Sequence, residues 1–435
     1  MMESWDRLIE VLRTSGADAW EAADVEEKGW EFYFIRHRLD QNRSKRVRNF
    51  DVRVYRRFED GKYLGSAGSK IPADAPEEEM RRIVADLCRY AEYVRNPAYT
   101  LNPPVPAENT EEEKNPDVRA ISADFLRALQ AVPETETEDL NSYEIFVSEI
   151  RRHFMNSEGI DVTSDYPSSL LEAVVNARKE GREIELYRLY HSGSCDEKQV
   201  IRDLSETLRY GRDRLNTVPT PALGKADVVF STDAAREIYD WFISRMSAEL
   251  VVRGVSDWKI GQDIQEGGEG DRVTARALRK LPNSSRNAAY DSEGAPVRDL
   301  TLIADGRAEH YFGSRQFSQY LQLEDSFIAG NFEITGGSAT AEELREGPCL
   351  EVVDFSDFQV DTITGDLAGE IRLAYWNDGG KRIPVSGGSV SGSMRELAKT
   401  MRFSSAGRQF DNYRIPEVTR LKNVTVTGIR ETEST

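Results

Sequence analysis

The passage TVPTPALGKADVVFSTDAAREIYDWFISRM, residues 217–246, decides how this chain divides. Pro219 and Pro221 lack backbone N–H groups and end regular structure, so a domain boundary is placed there, between residues 1–216 and 217–435. Asp227–Phe230 then reads as a short buried strand, and Ser231-Thr232-Asp233 as a capping cluster for a helix from Ala234 to about Val252. Ile238, Trp241, Phe242 and Met246, with Ala234 and Leu250, recur at helical spacing and supply its buried stripe.

Upstream of this passage helix and strand signals mix. MMESWDRLIEVLRTSG reads as an amphipathic helix carrying Leu8, Ile9 and Leu12 on one stripe. Trp30, Phe32 and Phe34 alternate as a half-buried strand does, and Asp60-Gly61 signals a hairpin between Val52–Tyr55 and Tyr63-Leu64. A helix is expected over Pro76–Val94, with Met80, Ile83, Val84, Leu87, Tyr90 and Ala91 as its apolar stripe. Asn102–Asp117 is polar and Pro-rich and reads as an exposed loop. Helices near Ile121–Leu129 and Glu197–Leu215 bracket further strand patterns at Tyr143–Val147 and Ile184–Arg188. Downstream, Asp305-Gly306 and Asp378-Gly379 mark two hairpins, a helix is expected near Ser393–Met401, and the tail Ile429–Thr435 is expected to fray. The fold class is therefore α+β, a mixed α/β N-terminal domain followed by a β-rich C-terminal one.

Composition narrows the function. The 435 residues carry 57 Lys+Arg against 76 Asp+Glu, a formal charge of −19, which is ill suited to neutralising nucleic-acid phosphates. The basic run Arg43–Arg48 (RSKRVR) reads as a solvated strand edge or turn. No stretch approaches the ~20 apolar residues that span a bilayer, and charges through the N-terminus argue against a signal peptide. Cys88, Cys195 and Cys349 are odd in number and widely spaced, as reduced thiols in a cytoplasmic protein would be.

Local chemistry assigns no catalytic centre. None of the four histidines, His37, His153, His191 and His310, is followed by Glu, so no H-E zinc helix exists, and His191/Cys195 (HSGSC) reads as a turn. Gly388-Ser389-Val390-Ser391-Gly392 carries its serines at the wrong offset for a nucleophile elbow and lacks the Lys of a phosphate loop. The glycines there allow a tight loop or hold an anion on backbone N–H groups. Gly261–Gly270 is a polar acidic loop, not a dinucleotide fingerprint. Asp291-Ser292-Glu293-Gly294-Ala295-Pro296 is the most structured of many carboxylate pairs, a turn held by Gly and Pro.

Taken in order, several phrases resemble the TldD/PmbA family, also called modulators of DNA gyrase. Asn156-Ser157-Glu158-Gly159 resembles its Asn-Ser-x-Gly turn, and Asp227–Phe230 with the following helix resembles the unit opening its C-terminal domain. Tyr290–Pro296 is similar to its Phe-Asp-x-Glu-Gly-x-Pro turn, and Leu302–Gly306 to its next hairpin. Asp361–Asp366, Gly387–Gly392 and Val424–Gly428 resemble its C-terminal signatures, and the Val52–Ala67 hairpin fits as well. Members of the TldD type carry a zinc helix H-E-x-x-x-H and a later cysteine. PmbA members, also called TldE, lack that site and pair with the first kind. Here Asp240 and Arg245 have the spacing of the two histidines, Arg offers zinc no lone pair, and Phe403–Asn412 holds no cysteine.

The resemblance implies a PmbA/TldE-like subunit with no cofactor of its own, zinc being held by a TldD-type partner. The assembly is a heterodimer with that partner, or a homodimer, acting on unfolded or modified peptides in the cytoplasm without nucleic acid or membrane. Peptide would add as a strand to a sheet edge, for which the β-rich C-terminal half is the natural source. Asp291, Glu293, Gly294, Gly365 and Asp366 are its expected peptide- or partner-binding residues. The alternatives are an independent peptidase centred on Asp291 and Glu293, or a stand-alone regulatory protein.

Overall fold

The structure is a computed structural model that describes residues 3–106, 117–324 and 326–429. Its N-terminal half opens with α1 (Ser4–Arg13), β1 (Ala19–Ile35), β2 (Arg38–Phe58) and β3 (Tyr63–Pro72). Next come α2 (Glu77–Ala91), β4 (Asn96–Pro97), α3 (Val118–Gln130), β5 (Glu138–Asn156), β6 (Asp161–Lys179), β7 (Arg182–Ser192) and α4 (Glu197–Arg214). The seven strands form one antiparallel sheet in the order β4-β3-β2-β1-β5-β6-β7.

Successive side chains of a strand point to opposite faces, so one face of this sheet is dry. Leu8 and Leu12 of α1 and Met80, Val84 and Leu87 of α2 pack there against Trp20, Phe50 and Val52. Phe125 and Leu129 of α3 and Leu204 and Leu208 of α4 pack against Ile145, Val147 and Leu171. Each such side chain contributes ~1.5–3 kcal/mol on burial. Tyr90 departs from the expected stripe of α2: it is 52% exposed, because Leu87 and Ala91 already turn the helix's apolar side to the sheet. The Arg43–Arg48 run lies exposed on β2, where Arg46, Arg48 and Lys45 pair with Glu26, Asp24 and Glu27 of β1.

The C-terminal half begins with β8 (Val218–Pro219), β9 (Gly224–Phe230), α5 (Ala235–Ser244) and α6 (Ala248–Val252). Then follow β10 (Thr274–Leu278), β11 (Leu300–Ala304), β12 (Arg307–Ala308), α7 (Arg315–Tyr320), β13 (Asn331–Thr335), β14 (Cys349–Val360) and β15 (Asp366–Asn377). The last elements are β16 (Arg382–Ser386), β17 (Ser389–Ser393), α8 (Met394–Leu397), β18 (Arg402–Phe403), β19 (Gly407–Phe410), β20 (Tyr413–Pro416) and β21 (Thr419–Thr427). One sheet runs β12-β11-β10-β13-β20-β19. In the other, β14 pairs with both β9 and β15, so β14, β9, β21, β17 and β15 close on one another and lose their edges. α5 is buried between the two sheets, with Ile238, Tyr239, Trp241 and Phe242 in one core. Both hairpins fall where the Asp-Gly pairs place them. The chain is an α+β protein. The halves share a core as well, since Val353, Leu373 and Tyr375 of β14 and β15 pack with α3 and α4.

Four local expectations are corrected. The long helix from Ala234 is two, because Ser247 is extended and bridges Phe312, and the N–H of Ala248 donates to the Phe312 carbonyl at 2.8 Å. The capping cluster does not cap: the Ser231 hydroxyl donates to Glu351 at 2.8 Å, and backbone carbonyls of Thr232 and Asp233 accept from the first turn. The helix near Ser393–Met401 is the single turn α8, and Val218–Pro219 pairs with β16 instead of staying irregular. The loop Asn102–Asp117 and the tail Ile429–Thr435 lie largely outside the described residues; at their described ends Asn102 is buried and Ile429 donates to the Thr220 carbonyl at 3.0 Å.

Candidate functional site

A cavity of about 690 Å³ opens between the halves, lined by the end of β7, one side of α4, the start of α5, residues 353–358 of β14, and β19. β7 ends the seven-stranded sheet and β19 ends the six-stranded sheet, so two sheet edges border one space. An edge strand carries backbone N–H and C=O groups that no neighbouring strand satisfies. The edge expected from the C-terminal half is therefore β19, and the N-terminal half contributes a second, β7.

Ion pairs tie the halves together around this space. Arg408 of β19 reaches α4, with its guanidinium 2.8 Å from Asp203 and 3.3 Å from Glu206. Arg188 of β7 lies 3.3 Å from Asp354 of β14, and the Gln199 amide of α4 donates to the Gln409 carbonyl at 2.6 Å. Burial opposes the charge on Arg408, but Asp203 and Glu206 outweigh it and hold its pKa above the ordinary value. Burial likewise raises the Asp203 carboxyl, with Arg408 opposing. Among the described residues, Arg236 Nε, Arg408 Nε and Asp354 Oδ2 are buried without a hydrogen-bond partner, and all three residues line this cavity. A ligand with both acceptors and donors, such as a peptide backbone, would satisfy them.

Further along α5 from Arg236, at Asp240 and at its C-cap Arg245, lie the positions the resemblance equates with metal ligands. Asp240 accepts hydrogen bonds from the Tyr413 and Ser244 hydroxyls. Arg245 is fully buried, ion-paired with Asp257, and set over the rings of Trp241 at 5.5 Å and Trp258 at 5.1 Å. A guanidinium offers no lone pair, so this donor set does not fit a zinc ion. The histidines are dispersed: His37 contacts Glu134, His153 contacts Asp161, His310 contacts the Thr301 carbonyl, and only His191 lines the cavity. Burial raises the pKa of all three thiols, Cys195 to about 12, and each sits in or against a different apolar cluster.

The five expected binding residues fall into two turns with different neighbours. Asp291, Glu293 and Gly294 form the turn by which the C-terminal half docks on the N-terminal sheet. Asp291 accepts backbone N–H bonds from Glu293, Ala295 and Ile328, and Glu293 accepts from Arg315. The Arg152 guanidinium donates to the Ser292 carbonyl at 2.8 Å and the Asn102 amide to the Glu293 carbonyl at 3.2 Å. Gly294 has φ +74, and a Cβ there would stand 2.8 Å from the Phe154 ring. Gly365, at φ +79, lies against the Trp241 indole in the turn from β14 to β15, and Asp366 is exposed at the start of β15. The Gly387-Gly388 turn is bound into the sheet: the Gly387 N–H donates to Ile371, and a Cβ on Gly388 would stand 2.1 Å from the Thr427 oxygen.

These features describe a two-part α+β protein with a charged cavity between its halves. Residues 223–428 match the family model described as the PmbA/TldA metallopeptidase C-terminal domain. No curated protein sequence gives a significant match. Among solved structures, TldE from Thermococcus kodakarensis is similar with a TM-score of 0.76 at 16% identity, over 97% of this chain and 100% of that one. A proposed modulator of a DNA gyrase from Thermotoga maritima gives 0.74 at 16% identity over 98% and 99%, and one from Bacteroides thetaiotaomicron 0.76 at 15% over 98% of each. Residues 223–428 are thus similar to the PmbA/TldA metallopeptidase C-terminal domain, and the whole length takes the fold of the TldE structure.

The residues that sequence reasoning missed are Arg236, Arg408, Asp203, Asp354 and the edge of β7. Arg408 and Asp203 are 205 positions apart, and no local pattern marks either.

Proposed function

We propose that this chain is the PmbA/TldE-like subunit of a TldD/TldE-type metallopeptidase assembly acting on unfolded or modified peptides. It holds peptide in the cavity between its halves, and zinc chemistry belongs to a TldD-type partner with which it pairs in the cytoplasm. The observation that carries the reading is the pair of sheet edges, β7 and β19, bordering one cavity. An extended peptide there gains main-chain hydrogen bonds with little demand on its sequence, and the polar atoms of Arg236, Arg408 and Asp354 supply further partners. The buried Arg245, ion-paired with the exposed Asp257 and standing where a zinc ligand would be needed, supports a supporting role over an independent catalytic one. No helix among the described residues is long and apolar enough to cross a membrane.

The test is affinity purification from native extract with mass spectrometry and metal analysis. A one-to-one companion of similar size carrying zinc on an H-E-x-x-x-H helix is the expected result. Stoichiometric zinc and peptidase activity in the isolated chain, both lost on mutating one of its own histidines, would overturn the reading.

A further inference from the structure

The seven-stranded sheet has a second face. Its first is covered by α1–α4; of the second, the 291–294 turn covers the end at Arg152 and Phe154, whereas no helix among the described residues packs on its other end. Strand register places two adjacent rows on it. One row is Gln41, Tyr33, Glu144, Glu172 and Leu189; the other is Arg43, Glu31, Phe146, Leu170 and His191. The rows mix apolar and acidic groups: Tyr33 and Phe146 meet edge to face at 5.8 Å, Leu189 is 42% exposed, and Tyr187 beside them 52%.

The three carboxylates are under-compensated. Tyr33 donates to Glu31 at 2.9 Å and Tyr187 to Glu172 at 2.8 Å, both neutral donors. Among the described residues the one cation facing the group is Arg43, stacked over the Tyr33 ring at 5.1 Å, while Lys45 on the β2 flank is taken by Glu27. Burial raises the Glu144 carboxyl, and Glu172 and Glu31 raise it further. Covering this face with an apolar surface would bury three carboxylates with a single cation, Arg43, among them. Covering it with a second copy by two-fold symmetry would bring acid to acid between chains of −19 each.

We propose that this face, centred on Glu31, Glu144 and Glu172, is the docking surface for a protein partner presenting Lys or Arg among apolar residues. The partner's cations pair with the glutamates, and its apolar groups cover Tyr33, Phe146 and Leu189. Leu189 and His191 also line the cavity between the halves, so the docked segment abuts that space through β7. The inference does not depend on what the cavity holds.

The test uses the full chain and a fluorescein-labelled decalysine, followed by anisotropy at ~150 mM salt, where non-specific attraction is largely screened. The variant E31Q/E144Q/E172Q is compared with the exposed control E78Q/E266Q/E269Q. Each removes three charges, taking −19 to −16, so net charge is matched. The expected result is a loss of affinity of about tenfold or more in the first and less than about twofold in the second. Equal weakening in both, or no binding by the wild-type chain, would overturn the proposal. So would a homodimer in which hydrogen exchange shows β1, β5 and β6 protected at the interface. Circular dichroism checks that both triple variants fold.

Discussion

Replacing Glu293 by Gln is expected to make the folded protein more stable at pH 8 than at pH 5, relative to wild type. Glu293 sits half-buried in the turn that joins the halves, near two other buried acids, Asp291 and Glu21, the latter bonded by the Tyr55 hydroxyl at 2.6 Å. Burial, with Glu21 and Asp291 adding, pushes its carboxyl from 4.5 up to about 7, and Arg53 opposes. A carboxyl raised in the folded state is bound to its proton there when the unfolded chain has already lost it. Its penalty is therefore absent below the unfolded pKa, grows as pH rises from about 4.5, and is complete above about 7. The full shift corresponds to about 3.4 kcal/mol, and residual solvent access lowers that to ~2–3 kcal/mol. Gln keeps an oxygen for the Arg315 N–H while removing the charge. Two measurements check this. Urea denaturation should show E293Q gaining about 2 kcal/mol over wild type between pH 5 and pH 8. Unfolding near pH 5.8 in weak buffer should release roughly 0.9 more protons from wild type than from E293Q, a comparison free of any two-state assumption. Equal proton release by the two proteins would refute the reasoning.

Three further outcomes follow from packing. Arg408→Met leaves the buried Asp203 with only the more exposed Arg202, 3.2 Å away, as its cation, and should cost about 2 kcal/mol at neutral pH in urea denaturation. Adding Asp203→Asn should recover a good part of that loss, whereas simple additivity would remove the ion pair from the account. Arg245→Met keeps the stem between Trp241 and Trp258 and frees Asp257, which is largely exposed, so it should cost about 2 kcal/mol less than Arg245→Ala; equal midpoints for the two would contradict this. Gly388→Ala forces a Cβ onto the Thr427 oxygen at a φ of +78, and its melting temperature should fall by several degrees, with ~2 kcal/mol or more lost. An unchanged melting curve would show that the β16–β17 turn gives way.

The apolar stripes and turn residues were legible because they are local. Leu8 and Leu12, or Met80, Val84 and Leu87, declare a helix face whatever lies opposite, and Asp60-Gly61, Asp305-Gly306 and Asp378-Gly379 turn as their dihedral preferences require. Where long-range bonding competed, local reading failed. Ser231 gave up capping for Glu351, 120 positions away, and Ser247 left its helix for a bridge to Phe312. Asp291 and Glu293 were singled out as acids in a fixed turn, but only the fold shows that this turn is the seam between the halves.

By itself the sequence determined the α+β class, the helices α1–α4 and the Asp-Gly hairpins, the charge of −19 and the absence of histidines from the segment holding Asp240 and Arg245. Those follow from composition and from spacing within a few turns of chain. The cavity, the meeting of β7 with β19, the Arg408–Asp203 bridge and the acidic second face were decided by tertiary structure alone. Each joins residues tens to hundreds of positions apart, and which strand ends a sheet or which face stays uncovered depends on how all the strands have already paired.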